Sequence, residues 1–88
     1  MRLDKYLKTA RVLKRREAAK ELALQGRIEV NGRVAKPSTE VKEQDVVKLQ
    51  FGNRVLVIRI LDVKKQVSKQ QAALLFEVLE EGRIDEAA

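Results

Sequence analysis

The sequence contains no cysteine, no histidine and no tryptophan, and its three aromatic residues are Tyr6, Phe51 and Phe76. Without cysteine there is no disulfide and no thiolate nucleophile, a composition that fits a reducing compartment. Without cysteine or histidine a zinc site lacks its usual ligands, and there is no imidazole for general-base work. Binders of single-stranded nucleic acid stack bases on aromatic rings. Here only Tyr6 lies in a basic segment, and its spacing from Leu3 and Leu7 assigns it to an apolar stripe. Apolar runs such as Val55 to Ile58 are far short of the roughly 20 residues of a spanning helix. Charge begins at Arg2, so the start of the chain lacks the pattern of a signal peptide. The reading is a soluble cytoplasmic protein with no membrane association. At 88 residues one domain is expected, residues 1–88. A domain of that size buries roughly 60–70% of its unfolded surface and folds without much margin.

Charge is plentiful but uneven. Nineteen Lys and Arg stand against 13 Asp and Glu, a formal net charge of +6. Residues 1–36 hold 11 basic and 4 acidic side chains, a net of +7, and residues 37–88 hold 8 and 9, a net of −1. A one-sided basic segment points to a polyanionic partner.

Apolar periodicity organises that segment. Leu3, Tyr6, Leu7 and Ala10 recur at i, i+3, i+4 and i+7, which predicts a helix over 2–9 with Arg2, Lys5 and Lys8 on its other face. Ala18, Ala19, Leu22 and Ala23 predict a second helix over 16–25 whose small residues permit close approach, with Arg16 and Lys20 side by side at the stripe's edge. Gly26 suits a left-handed C-terminal cap. In the connection Arg11 to Arg15, Val12 and Leu13 are expected to pin the turn to the core. The period then changes to two: Ile28 and Val30 lead into Asn31-Gly32, the type I′ hairpin signature, with Val34 beyond. Residues 37–39 read as loop and 41–45 as a short extended piece with a turn. Residues 46–61 predict a second hairpin around Gly52-Asn53, with its strand continuing to Val63. Ser68 and Gln71 form a capping-box pattern ahead of a last helix carrying Ala72, Leu75, Phe76 and Leu79 and ended by Gly82. Residues 83–88 read as a frayed tail. The fold class is α+β: two N-terminal helices on a small, mostly antiparallel sheet, with a C-terminal helix.

Nothing in the sequence is arranged for catalysis. Ser38 and Ser68 lack a customary general base, and turn chemistry and helix capping account for them. Asp4, Glu17 and Glu21 lie among cations, which makes them poor proton carriers. Glu80-Glu81 with Asp85-Glu86 reads as a solvated acidic end rather than a metal site. The glycines form no phosphate-binding loop. No enzyme activity, metal or cofactor is expected. Eight cations fall within residues 2–20: Arg2, Lys5, Lys8, Arg11, Lys14, Arg15, Arg16 and Lys20. Arginine donates bidentate hydrogen bonds to phosphate, and lysine acts as a mobile point charge. These eight are the candidate binding residues, with Arg33 and Lys36 behind them, for a structured nucleic acid recognised through backbone and shape.

The segments Arg2-Leu3-Asp4-x-x-Leu7, Arg16-x-x-Ala19-x-x-Leu22 and Gly26-x-Ile28-x-Val30-Asn31-Gly32, with Val41 and Asp45, resemble the small RNA-binding domain named after ribosomal protein S-four. The match covers about residues 1–50, leaving a strand and helix extension over 51–82. The start Met1 to Lys5, the segment Leu13-Lys14-Arg15-Arg16 and the extension are similar to the RqcP (YabO) family, stand-alone bacterial relatives of the ribosome-associated heat-shock protein of this fold. The chain departs from the common pattern of the domain in having Arg15-Arg16 in place of Ser-Arg and Gln44-Asp45 in place of Gly-Asp.

The resemblance implies a factor of ribosome-associated quality control. Such a protein binds a large ribosomal subunit carrying stalled peptidyl-tRNA, contacts large-subunit rRNA and P-site tRNA, and acts as a monomer beside RqcH, the factor that adds an alanine tail to the nascent chain. Arg2 and Arg16 match RNA-contacting motif positions; the other six cations follow from charge alone. A salt bridge is the structural alternative for Arg2 and Asp4, with Asp4 orienting Arg16 or Lys5. Two further readings stand beside this one: an accessory RNA-binding module of a modifying enzyme such as a pseudouridine synthase, and a DNA binder whose paired helices mimic helix-turn-helix.

Overall fold

A computed structural model describes residues 1–63, 68–72 and 74–83. Helix α1 spans Leu3–Thr9 and α2 spans Arg16–Leu24. Strands β1 (Ile28–Val30), β2 (Arg33–Val34), β3 (Val46–Phe51) and β4 (Arg54–Ile60) follow, then a one-turn helix α3 (Lys69–Ala72) and strand β5 (Phe76–Arg83). The sheet is antiparallel in the order β2-β1-β3-β4-β5.

The alternation read from the sequence sets the faces of the sheet. Residues paired directly across antiparallel strands project to the same side. The rows Ile28–Leu49–Leu56 and Val30–Val47–Ile58 therefore form one apolar face. Against it pack Leu3, Tyr6, Leu7 and Ala10 of the first helical segment and Ala19 and Ala23 of α2. Each large aliphatic side chain fully buried there contributes about 1.5–3 kcal/mol before the entropy of ordering the chain is subtracted. Val12 and Leu13 pack partly against this core, as expected of the helix connection.

Tyr6 is wholly buried, and its hydroxyl donates to the Leu75 carbonyl at 2.6 Å. Burial pushes the phenol well above its ordinary range, and the Asp62 carboxylate adds to the shift, so the ring stays neutral. Its part is structural.

Both predicted hairpins are present. Asn31 (φ +52°) and Gly32 (φ +83°) supply the two positive torsions of a type I′ turn. Asn31 does more than turn the chain. Its side-chain oxygen accepts from the Val46 amide at 3.0 Å, and its Nδ2 donates to Asp45 Oδ1 at 3.0 Å, which locks the hairpin to the start of β3. The other Asp45 oxygen accepts from the Lys42 amide at 3.0 Å. Gln44, where the resemblance to the domain implies glycine, holds φ +76°, so the turn keeps its left-handed geometry without glycine. The loop at 37–41 closes over the start of α1: the Leu3 amide donates to the Thr39 carbonyl at 2.8 Å and the Asp4 amide to the Pro37 carbonyl at 3.1 Å. These are orphan donors of a helix N-terminus, here satisfied by main chain.

The C-terminal part departs from expectation. Ser68 caps as read, its hydroxyl accepting from the Gln71 amide at 3.2 Å, but the helix is the single turn Lys69–Ala72. Phe76 and Leu79, expected on its apolar stripe, lie in β5, and Gly82 lies within that strand instead of ending a helix. The register shifts between Val57, opposite Glu80, and Ile58, opposite Val78, leaving Leu79 as the extra residue of a bulge. Strand β4 ends at Ile60 instead of running on to Val63. The frayed tail expected for 83–88 lies outside the described residues beyond Arg83, where β5 ends.

Candidate nucleic-acid interface

Helices α1 and α2 turn their apolar stripes to the sheet and leave their basic faces outside. The two faces meet at Asp4. Its side chain is only 3% exposed, whereas those of Arg2 and Arg16 are 49% and 44% exposed. Arg2 Nη2 donates to Asp4 Oδ2 at 3.2 Å, and Arg16 Nε lies 3.2 Å from the same oxygen. The backbone amide of Lys5 donates to Oδ1 at 2.8 Å. Burial alone would raise the Asp4 carboxyl. The Arg16 hydrogen bond, the Lys5 amide and the charges of Arg16 and Arg2 outweigh it and hold the group below its ordinary value, so it stays ionised. One carboxylate thus ties a residue at the start of α1 to the first residue of α2. It orients both guanidiniums while leaving half of each open. Of the two partners the sequence suggested for Asp4, Arg16 is joined by its side chain and Lys5 only through its main chain.

Two grooves flank this junction. One, of about 540 Å³, is lined by Lys5, Lys8, Thr9, Lys14, Arg15, Arg16 and Glu17. The other, of about 310 Å³, is lined by Arg2, Asp4, Arg16, Glu17 and Lys20. Arg16 borders both. Seven of the eight candidate cations therefore converge on adjoining concavities, and Arg11 stands apart on the turn between the helices. Arg15 is the N-cap residue of α2 and makes no side-chain capping bond, so the positive end of that helix adds to the cationic field. Arg33 and Lys36 are exposed but line neither groove.

Three groove residues were absent from the candidate set: Asp4, Thr9 and Glu17. Thr9 lies four residues after Lys5 and one after Lys8, so helical spacing places it on their face. Glu17 borders both grooves and introduces a negative charge that a count of cations ignores. Among the described residues no group of three His, Cys, Asp or Glu is placed to hold a metal ion. No described helix is long and apolar enough to cross a membrane. What the grooves offer is a dense array of donors with no carboxylate in their lining beyond Asp4 and Glu17. Such an array suits the phosphates of a nucleic acid.

Comparison with known proteins identifies the family. The S4 domain family matches residues 1–47, the segment that contains both basic helices. The RQC P-site tRNA stabilizing factor of Streptococcus pneumoniae is 49% identical over 98% of each chain. The factor of the same name from Halalkalibacterium halodurans is 48% identical over 99% of each. Among solved structures, the trimeric Heat Shock Protein 15 of Vibrio cholerae superposes with a TM-score of 0.81 at 32% identity, covering 89% of this chain and 80% of that one. A motif that places paired arginines on a buried aspartate, a fold shared with Heat Shock Protein 15 and near-complete alignment with these factors lead to one assignment: the chain belongs to the RQC P-site tRNA stabilizing factor family of S4-domain proteins.

Proposed function

We propose that this protein is an RNA-binding factor of bacterial ribosome-associated quality control, a non-catalytic member of that machinery working in the cytoplasm where ribosomes are. It binds large ribosomal subunits that retain peptidyl-tRNA, touches large-subunit rRNA and P-site tRNA, and supports alanine tailing by RqcH. The names of its full-length relatives support the process and the tRNA. The observation that carries the surface assignment is the Arg2–Asp4–Arg16 junction with cationic grooves on either side. Arg2, Arg16 and Lys20 hold phosphates in one groove, and Lys5, Lys8, Lys14 and Arg15 with Arg16 hold them in the other. A junction fixed before binding reads the spacing of phosphates in a folded RNA with little ordering entropy left to lose.

Co-sedimentation with purified large subunits carrying peptidyl-tRNA tests this. Arg2→Ala and Arg16→Ala each abolish it while the circular dichroism spectrum stays native. For a milder loss of one phosphate contact, the slope of log affinity against log salt falls by about one unit. Normal binding by both variants would remove the assignment of the surface. Recovery of an RNA-modifying enzyme and no ribosome with the tagged protein would replace the function.

A further inference from the structure

Helices α1 and α2 end with the same set of hydrogen bonds. After α2, the Gly26 amide donates to the Ala23 carbonyl at 3.0 Å and the Arg27 amide to the Leu22 carbonyl at 2.9 Å. After α1, the Arg11 amide donates to the Lys8 carbonyl at 3.0 Å and the Val12 amide to the Leu7 carbonyl at 3.0 Å. Both are Schellman endings, which require a left-handed residue just past the helix. Gly26 fills that position at φ +74° and Arg11 fills it at φ +59°. Glycine adopts this conformation without penalty, whereas an L side chain crowds its own carbonyl. Asparagine and aspartate are the usual exceptions, and arginine is not one of them.

Packing does not explain the arginine. Arg11 is exposed, its guanidinium takes no salt bridge among the described residues, and it lines neither groove. Val12 and Leu13, its neighbours, anchor the turn to the core. The chain therefore carries, at the turn between its two basic helices, a residue ill suited to its backbone whose exposed guanidinium takes no ion pair among the described residues. The cationic fork is what remains to account for it.

We infer that Arg11 is a separate RNA contact. It reaches a phosphate beyond the two grooves and is retained there against the stability that glycine would add. This rests on the RNA-binding reading above and gives the surface a third contact point, on the turn, independent of the Asp4 junction. The chemistry is a guanidinium donating a pair of hydrogen bonds to one phosphate.

The test measures thermal stability and large-subunit affinity together for the full chain, Arg11→Gly, Arg11→Lys and Arg16→Ala, over about 50 to 200 mM salt. Arg11→Gly raises the melting temperature by about 4 °C, because the left-handed position is relieved. It also lowers affinity on the order of five- to tenfold and flattens the salt slope by about one unit. Arg11→Lys keeps the charge and the strained backbone but loses the paired hydrogen bonds, so its melting temperature and salt slope are unchanged while its affinity falls between wild type and Arg11→Gly. Unchanged affinity and slope in Arg11→Gly, with Arg16→Ala still weakened, would overturn this inference and leave the function standing. A lower melting temperature in Arg11→Gly would overturn it too, by showing that the arginine serves the fold. Full binding by Arg16→Ala as well would bring down the RNA surface itself.

Discussion

A carboxylate leaves water only if donors replace the hydration it loses, and Asp4 has three: Arg2, Arg16 and the Lys5 amide. The sign of its titration follows. Its folded-state value lies below the ordinary 3.8. The stabilisation is therefore complete above the unfolded value and is lost as pH falls through the lowered folded value. Asp4→Asn is expected to destabilise the protein by about 1–2 kcal/mol near pH 7, discounted because both arginines are half open to water. Melting curves should show that difference from wild type shrinking below about pH 4. The RNA readout separates two roles. Removing a negative charge beside phosphates would by Coulomb's law strengthen binding. Loss of the orienting anchor weakens it, and weakening is the expected result in filter binding. Stronger binding by Asp4→Asn would reduce Asp4 to a misplaced charge.

At the scale of elements, both N-terminal helices and both hairpins were legible because each carries a local signal: a 3.6-residue stripe, a period of two, an Asn-Gly turn. Strand β5 was not, and the bulge explains why. Phe76 and Val78 keep strand alternation, but the extra residue Leu79 breaks it. Ala72, Leu75, Phe76 and Leu79 then fall at helical spacing by coincidence. A pairing irregularity that depends on a distant strand leaves no local trace. The same holds for the site. Its cations could be counted from the sequence, but the meeting of Arg2 and Arg16 on Asp4 and the gathering of the others into grooves depend on how α1 and α2 pack. The strained turns at Arg11 and Gln44 depend on closing hydrogen bonds such as that from the Gln44 amide to the Ile60 carbonyl at 2.8 Å. Gln44 is exposed and left-handed, so Gln44→Gly should stabilise the β3 entry turn. A gain of about 0.5 kcal/mol, seen as a shift of about 2–4 °C in melting temperature with unchanged RNA affinity, is expected.

Over the whole molecule, function and support are divided along the chain but not independent. The segment that matches the S4 domain ends at residue 47, while Ile58, Ile60 and Leu75 of the same core come from beyond it. A chain ending at Val63 loses the Leu75 side chain, the acceptor of the Tyr6 hydroxyl and all of β5. Losing a buried leucine and a buried hydrogen bond removes about 3–6 kcal/mol, close to the whole stability of a domain this small. Such a chain should show no cooperative thermal transition and no subunit binding. A sharp transition would mean that the N-terminal half folds alone. The bond from Tyr6 to Leu75 joins residues 69 apart in sequence. It therefore sets an order on biosynthesis: both basic helices leave the translating ribosome long before the carbonyl that seats the first of them. The first basic helix is seated on the sheet only after residue 75 has been made and has emerged.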